Sequence, residues 1–144
     1  MKFDNILVPY DGSECAERAF NAALDLAKFT NSDIRLLTCV EPASTSDVGM
    51  GQEFVDDSEK KERARALDNM EKLVERGKKE GVKVEKDVEK AISTPKKIAD
   101  LSGSSNVDVI VMGSHGRTGL NKFIFGSNTS KAAPLSECPI MIVK

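Results

Sequence analysis

The chain lacks most of the features by which a sequence declares a compartment or a macromolecular partner. No apolar run approaches the roughly 18 residues that a membrane-spanning helix needs, and Met1-Lys2-Phe3-Asp4 leads towards a strand without an apolar secretory segment. A cytoplasmic protein with no membrane partner is expected. Cysteine is scarce and badly placed for cross-linking. Cys15, Cys39 and Cys138 are an odd number, far apart, with no Cys-x-x-Cys pair and no histidine-rich neighbour, which argues against a disulfide frame and a zinc site. They read as small core residues. Charge of one sign is not in excess either. Lys and Arg number 21 against 23 Asp and Glu, a formal charge of −2, and the signs are interleaved. No basic stripe points to nucleic acid and no polybasic run to anionic lipid. Histidine occurs once, at His115. Without a positioned acid or nucleophile it is a weak catalytic signal, and loop packing or a phosphate-side hydrogen bond is its expected role.

What is present is a patterned α/β sequence. A length of 144 residues with 40% hydrophobic content suffices for one sizeable core, so residues 1–144 are expected to form a single domain. Residues 5–10, Asn-Ile-Leu-Val-Pro-Tyr, form a short apolar strand that stops at the turn and N-cap cluster Asp11-Gly12-Ser13. Ala16, Ala19, Phe20, Ala23, Leu24 and Ala27 then recur at helical spacing. Residues 34–40 make a second strand. The stretch 41–57, rich in Pro, Ser, Thr, Gly and Asp, predicts a long mobile loop.

A charged helix is expected over 58–80, with Ala64, Leu67, Met70, Leu73 and Val74 as its buried stripe. Glu59 with Arg63, and Glu75 with Lys79, stand at the favourable i,i+4 spacing. After Gly81, Val82, Val84 and Val88 alternate with charged residues, the pattern of a half-wet strand suited to a sheet edge. Ser93-Thr94-Pro95 starts a helix with Ile98 and Leu101 facing inward. Residues 107–112 are apolar apart from Asp108, as in a strand buried on both faces. A last helix over 127–137 leads to the strand 139–143. The order β-α-β-α-β-α-β-α-β predicts a parallel sheet with helices on both faces and right-handed crossovers. The least charged strands, 5–10 and 107–112, belong side by side at its centre. With strand order 3-2-1-4-5, the loop after strand 1 faces the loop after strand 4 across the crevice where ligands bind in open α/β sheets.

Those two loops carry the functional signal. Residues 113–127 read Gly-Ser-His-Gly-Arg-Thr-Gly-Leu-Asn-Lys-Phe-Ile-Phe-Gly-Ser. Gly113, Gly116 and Gly126 let backbone N–H groups approach an anion, and Gly126-Ser127 can open a helix whose free amides favour phosphate. The ordinary alternative is a set of tight turns, with Ser127 as a helix N-cap worth roughly 1 kcal/mol. Asp11 likewise either caps the first helix or meets a ligand, and a carboxylate beside polyphosphate requires a cation or a ribose hydroxyl for compensation. Arg117 and Lys122 could pair with phosphates or remain solvated loop charges.

Along essentially its whole length the chain resembles the universal stress protein family. The resemblance rests on Val8-Pro9-Tyr10-Asp11-Gly12-Ser13 and on Gly113-x-x-Gly116, nine residues, then Gly126-Ser127. That spacing looks like the ATP-binding branch. It implies a flavodoxin-like or adenine-nucleotide α-hydrolase type of fold, a homodimer, and an ATP site with Mg2+ or Mn2+ but without a Walker A motif. Neither GxxxxGK[ST] nor a Ser-Gly-Gly-x-Asp-Ser loop occurs. Carried over by position, the resemblance places Pro9 and Asp11 at the ribose, with Asp11 also near a phosphate-bound metal. Val40 would pack on adenine, Met112 and Gly113 would line the nucleotide, Gly116 would admit the phosphates, and Gly126, Ser127 and Asn128 would present the helix N-terminus to them. Ala91 stands where relatives often have glycine after strand 3, and Asn128 where an apolar residue is common.

Two functions follow. The first is a nucleotide-responsive regulatory module in stress response, in which ATP orders the 41–57 loop. The second is a slow ATPase or a phosphotransferase that autophosphorylates at Ser114, Thr118, Ser127 or Thr129, although no residue stands out as a water-activating base. The apolar strand Ile140 to Val143, placed at a sheet edge, predicts a two-fold homodimer through its unpaired backbone.

Overall fold

A computed structural model describes residues 2–42, 49–104, 106–117 and 124–144. Five parallel strands, β1 (Asn5–Pro9), β2 (Asp33–Val40), β3 (Val84–Lys90), β4 (Val109–Gly113) and β5 (Ile140–Val143), form one sheet in the order β3-β2-β1-β4-β5. The helices among the described residues are α1 (Glu14–Thr30), α2 (Gln52–Lys79), α3 (Thr94–Ser104) and α4 (Ser127–Leu135). β1 pairs with β2 from Asn5↔Asp33 to Pro9↔Leu37 and with β4 at Ile6↔Val109 and Leu7↔Ile110. The two apolar strands are thus central, as their sequences require, and β3 and β5 are the edges.

Strand alternation distributes the core over both faces of the sheet. Ile6, Val8, Ile34, Leu36, Val84 and Val88 pack with Phe20 and Leu24 of α1 and Met70 and Leu73 of α2. Leu7, Leu37, Ile110 and Met112 point the other way, onto Ile98 of α3 and Ala132 of α4. α1 starts at Ser13, whose hydroxyl accepts the Ala16 N–H (3.1 Å), and ends at Asn31 in the left-handed region (φ 61°). At the other end of the sheet the Asp108 carboxylate accepts the N–H groups of Asp4 and Asn5 and ties β1 to β4.

Several expectations need correction. α2 begins at Gln52, so 52–57 are helical and not loop, while 43–48 lie outside the described residues. Its start carries no side-chain signal: the N-cap is Gly51 at φ 100°, with no capping side chain. Ala64 is exposed, and the buried stripe instead comprises Ala66, Met70, Leu73 and Gly77, flanked by half-buried Leu67 and Val74. Glu59 and Arg63 serve tertiary contacts: Glu59 pairs with Lys90, and the Arg63 guanidinium donates to Val88 O (2.9 Å), covering part of the β3 edge. The three cysteines are free and half-buried, and Cys39 and Cys138 pack against the core on the α3 and α4 face while Cys15 does not. Ala91 needs no glycine-like turn, because its N–H continues the ladder to Val40 O (3.0 Å).

Candidate functional site

The C-terminal ends of β1, β2 and β4 open into a cleft of about 650 Å³, within the range of about 300–1,000 Å³ usual for small-molecule sites. It lies at the switch point where the sheet order reverses about β1, and it brings together most of the residues singled out above. Pro9, Asp11, Met112, Gly113, Gly116, Gly126, Ser127 and Asn128 all line it. Val40 does not. Two-residue alternation turns its side chain into the core shared with α1 and α2 and gives the opposite face to Leu37 and Cys39, which line the cleft together with Thr38.

The glycine loop is held by its own contacts. The Ser114 N–H donates to Val143 O (2.8 Å) and the Gly126 N–H to Ser114 O (2.7 Å), closing the loop on β5 and on itself. Thr129, 2% exposed, donates from Oγ1 to Gly113 O (2.8 Å) and so fixes the first turn of α4 to the end of β4. His115 links Ser114 Oγ through Nδ1 (3.0 Å) and Ile124 O through Nε2. This is the loop-packing role expected for it. Gly113 must be glycine because a Cβ would lie 2.8 Å from the backbone carbon and Cβ of Cys15 in the first turn of α1.

Asp11 bridges the two loops. Its Oδ1 accepts the Ser13 N–H (2.9 Å) and its Oδ2 the Arg117 N–H (3.2 Å), and a Cβ on Gly116 would stand 2.8 Å from Oδ2. Ser127 is not the N-cap of α4. Gly126 occupies that position and contributes no side-chain bond, so among the described residues the first turn of the helix has no capping side chain. Ser127 and Asn128 are exposed there. Thr118 and Lys122 lie outside the described residues.

Motif reading gave no site role to Tyr10, Ala16, Leu37, Thr38, Cys39, Glu41, Glu62, Thr94 and Ile98, which also line the cleft. They come a few from each element, with no common spacing; only the parity of β2 could have pointed to Leu37 and Cys39. Burial and the bond to Glu17 (3.0 Å) push the Tyr10 phenol up to about 12. Burial also raises the Cys39 thiol, although Thr94 and Lys97 beside it pull in the opposite direction. Among the described residues, no group of three or more His, Cys, Asp or Glu side chains is arranged to hold a metal ion, and no helix is long and apolar enough to cross a membrane.

A parallel 3-2-1-4-5 sheet with helices on both faces and an uncapped helix N-terminus at its switch point defines an α/β protein of the adenine-nucleotide α-hydrolase type. The model of the universal stress protein family matches residues 2–144, and the chain belongs to that family. It is 28% identical to universal stress protein YxiE of Bacillus subtilis, over 99% of each chain. The structure of MJ0577 from Methanocaldococcus jannaschii superimposes with a TM-score of 0.87 at 27% identity, covering all of this chain and 97% of that one. The universal stress protein of Archaeoglobus fulgidus in complex with dAMP shares the fold (TM-score 0.72, 20% identity, 100% of both chains).

Proposed function

We propose that the chain holds an adenine nucleotide, ATP with Mg2+ or Mn2+, in this cleft and works as a nucleotide-responsive homodimeric regulatory module in a stress response. The observation that carries the reading is the start of α4. Its amides, at the positive end of the helix dipole and without a capping side chain, line the cleft next to the glycine loop. The phosphates belong against Gly116, Gly126, Ser127 and Asn128, and the ribose against Pro9 and Asp11. The base belongs against Met112 and Gly113, with Leu37, Thr38 and Cys39 in place of the Val40 side chain. The dAMP complex of the A. fulgidus relative supports an adenylate ligand; the triphosphate is our reading. Asp11, whose carboxylate reaches the glycine loop through the Arg117 N–H, would share a divalent ion with phosphate, and that ion would supply positive charge between them. Three free cysteines suit a reducing compartment such as the cytoplasm.

Binding at a hundredfold excess over Kd stabilises a fold by roughly 2.7 kcal/mol, or about 8 °C in Tm for a chain of this size. A thermal melt in millimolar Mg-ATP should show that shift, and Gly116→Val should abolish it while leaving the fold intact. A wild-type melt unmoved by Mg-ATP would refute the reading. The second reading, slow hydrolysis or autophosphorylation, has Ser127 in its favour, an exposed hydroxyl on the first turn of α4. Against it, the Ser114 and Thr129 hydroxyls are buried and bonded, and both ring nitrogens of His115 are engaged. Turnover that scales with protein and falls on Asp11→Ala would establish it; ATP recovered intact from the purified protein would dismiss it.

A further inference from the structure

We propose that Thr129 is the positioning residue of the phosphate end of the cleft: its buried hydroxyl latches the first turn of α4 to the end of β4 and so sets where the helix amides meet the ligand. The proposal rests on the nucleotide reading above and deepens it. The need for a latch follows from the sheet. Ser114 gives its N–H to Val143 O on β5 (2.8 Å), so by alternation the Gly113 carbonyl turns the other way, towards β1. The paired positions of β1 and β4 end at Leu7↔Ile110, short of Gly113. Past that register the carbonyl takes the Thr129 hydroxyl (2.8 Å). Thr129 is 2% exposed, so water cannot make good the loss of this bond.

The place of Thr129 in its helix makes the bond matter to a ligand. It shares the first turn of α4 with Ser127 and Asn128, and all three line the cleft beside Gly113 and Gly126. Two ties hold that turn to the end of β4, the Thr129 hydroxyl on Gly113 O and the Gly126 N–H on Ser114 O (2.7 Å). The second is a main-chain bond that needs no particular side chain, so the identity of residue 129 decides the position of the turn. Ser130 donates to Phe125 O (3.1 Å) and closes the turn on the loop before it, not on the sheet. With its proton committed to Gly113, the Thr129 hydroxyl has none to give a phosphate. It acts through the amides of Ser127 and Asn128, whose hold on an anion falls off within the first turn of a helix. The wall for base and ribose, Pro9, Cys39 and Met112, comes from β1, β2 and β4 and is built without α4.

Calorimetric titration of the full chain with Mg-ATP and, separately, with adenosine tests this on the wild type, Thr129→Val and Thr129→Ser. Valine keeps the shape of the side chain and removes the donor; serine keeps the donor and removes the methyl. Thr129→Val should bind Mg-ATP at least about tenfold more weakly than the wild type, the scale of a helix terminus acting on an anion, and adenosine within about threefold of it. Thr129→Ser should return Mg-ATP to within about threefold of the wild type, because the hydroxyl is restored. A Thr129→Val chain that binds Mg-ATP like the wild type overturns the proposal. Loss of both ligands in equal proportion, the mark of a general disturbance, also overturns it, as does failure of Thr129→Ser to restore Mg-ATP. If Thr129→Val does not fold, Thr129→Ala is held to the same outcomes, and if neither folds the bond serves stability and the positioning role falls. Wild type that binds neither ligand would instead refute the nucleotide reading, and this proposal with it.

Discussion

Gly113 and Gly116 stand three residues apart in the same loop and are glycines for different reasons, and neither has a positive φ. A methyl group on Gly113 would meet the backbone of Cys15, which cannot move without moving α1; on Gly116 it would meet only the end of the Asp11 side chain. Gly113→Ala should therefore cost about 1–3 kcal/mol in urea unfolding. Gly116→Ala should cost about 1 kcal/mol or less and act on ligand affinity instead. Tyr10 yields a prediction in pH. Its phenol holds its proton more tightly in the folded chain, up to about 12 from an ordinary 10.0, because of burial and then the bond to Glu17. That contribution to stability is complete below pH 10 and is lost as pH rises towards 12. Urea midpoints should fall between pH 9 and pH 11 in the wild type, and Tyr10→Phe should lower the neutral value by about 1 kcal/mol and flatten that fall. At this scale the sequence singled out Gly113, Gly116 and Gly126, and the fold brings the three to one cleft. The reason for Gly113 was illegible, since it lies in a helix distant along the chain. Val40 was assigned to the base by the family resemblance and its place at a strand end, and its side chain is packed in the core.

Among the elements, the strands were the most legible, because alternation and the all-apolar runs of β1 and β4 follow directly from which faces are buried. α2 was the least. Its first turn has only Val55 buried and no N-cap side chain, so Gly, Ser and Asp outweighed a helix that its packing further along sustains. At 28 residues, about 42 Å at 1.5 Å per residue, it is held by its middle and end. There Arg76 donates to Glu17 Oε1 (3.1 Å) and to Asn21 and lies 5.3 Å over the Phe20 ring. Gly77 gives the element its sharpest prediction. Propensity alone says that Gly77→Ala stabilises a helix by roughly 1 kcal/mol. Here the new methyl would run into Val84 Cγ2 and approach Val82 O to 3.0 Å. The substitution should be destabilising by about 1–2 kcal/mol, with the sign read from chemical denaturation.

In the whole molecule β5 is one edge of the sheet, and among the described residues no strand pairs with its outer side. Pro139 O and Val143 O accept from β4, so by alternation Ile140 and Ile142 present their backbone groups outward. If two copies pair there, Ile142→Pro removes an outward N–H without touching the β4 ladder. Sedimentation at micromolar concentration should then show the wild type as a dimer and Ile142→Pro as a folded monomer. The bond from Ser114 N–H to Val143 O carries a consequence of another kind, one of timing. Domains take shape from the N-terminal side as a chain is synthesised. β1, α1 and β2 can associate early, yet this one anchor of the cleft loop cannot form until β5 has left the ribosome and zipped onto β4. A chain that ends before β5 lacks that tie between the end of β4 and the sheet edge, and its loop is held by Asp11, Thr129 and its own backbone bond.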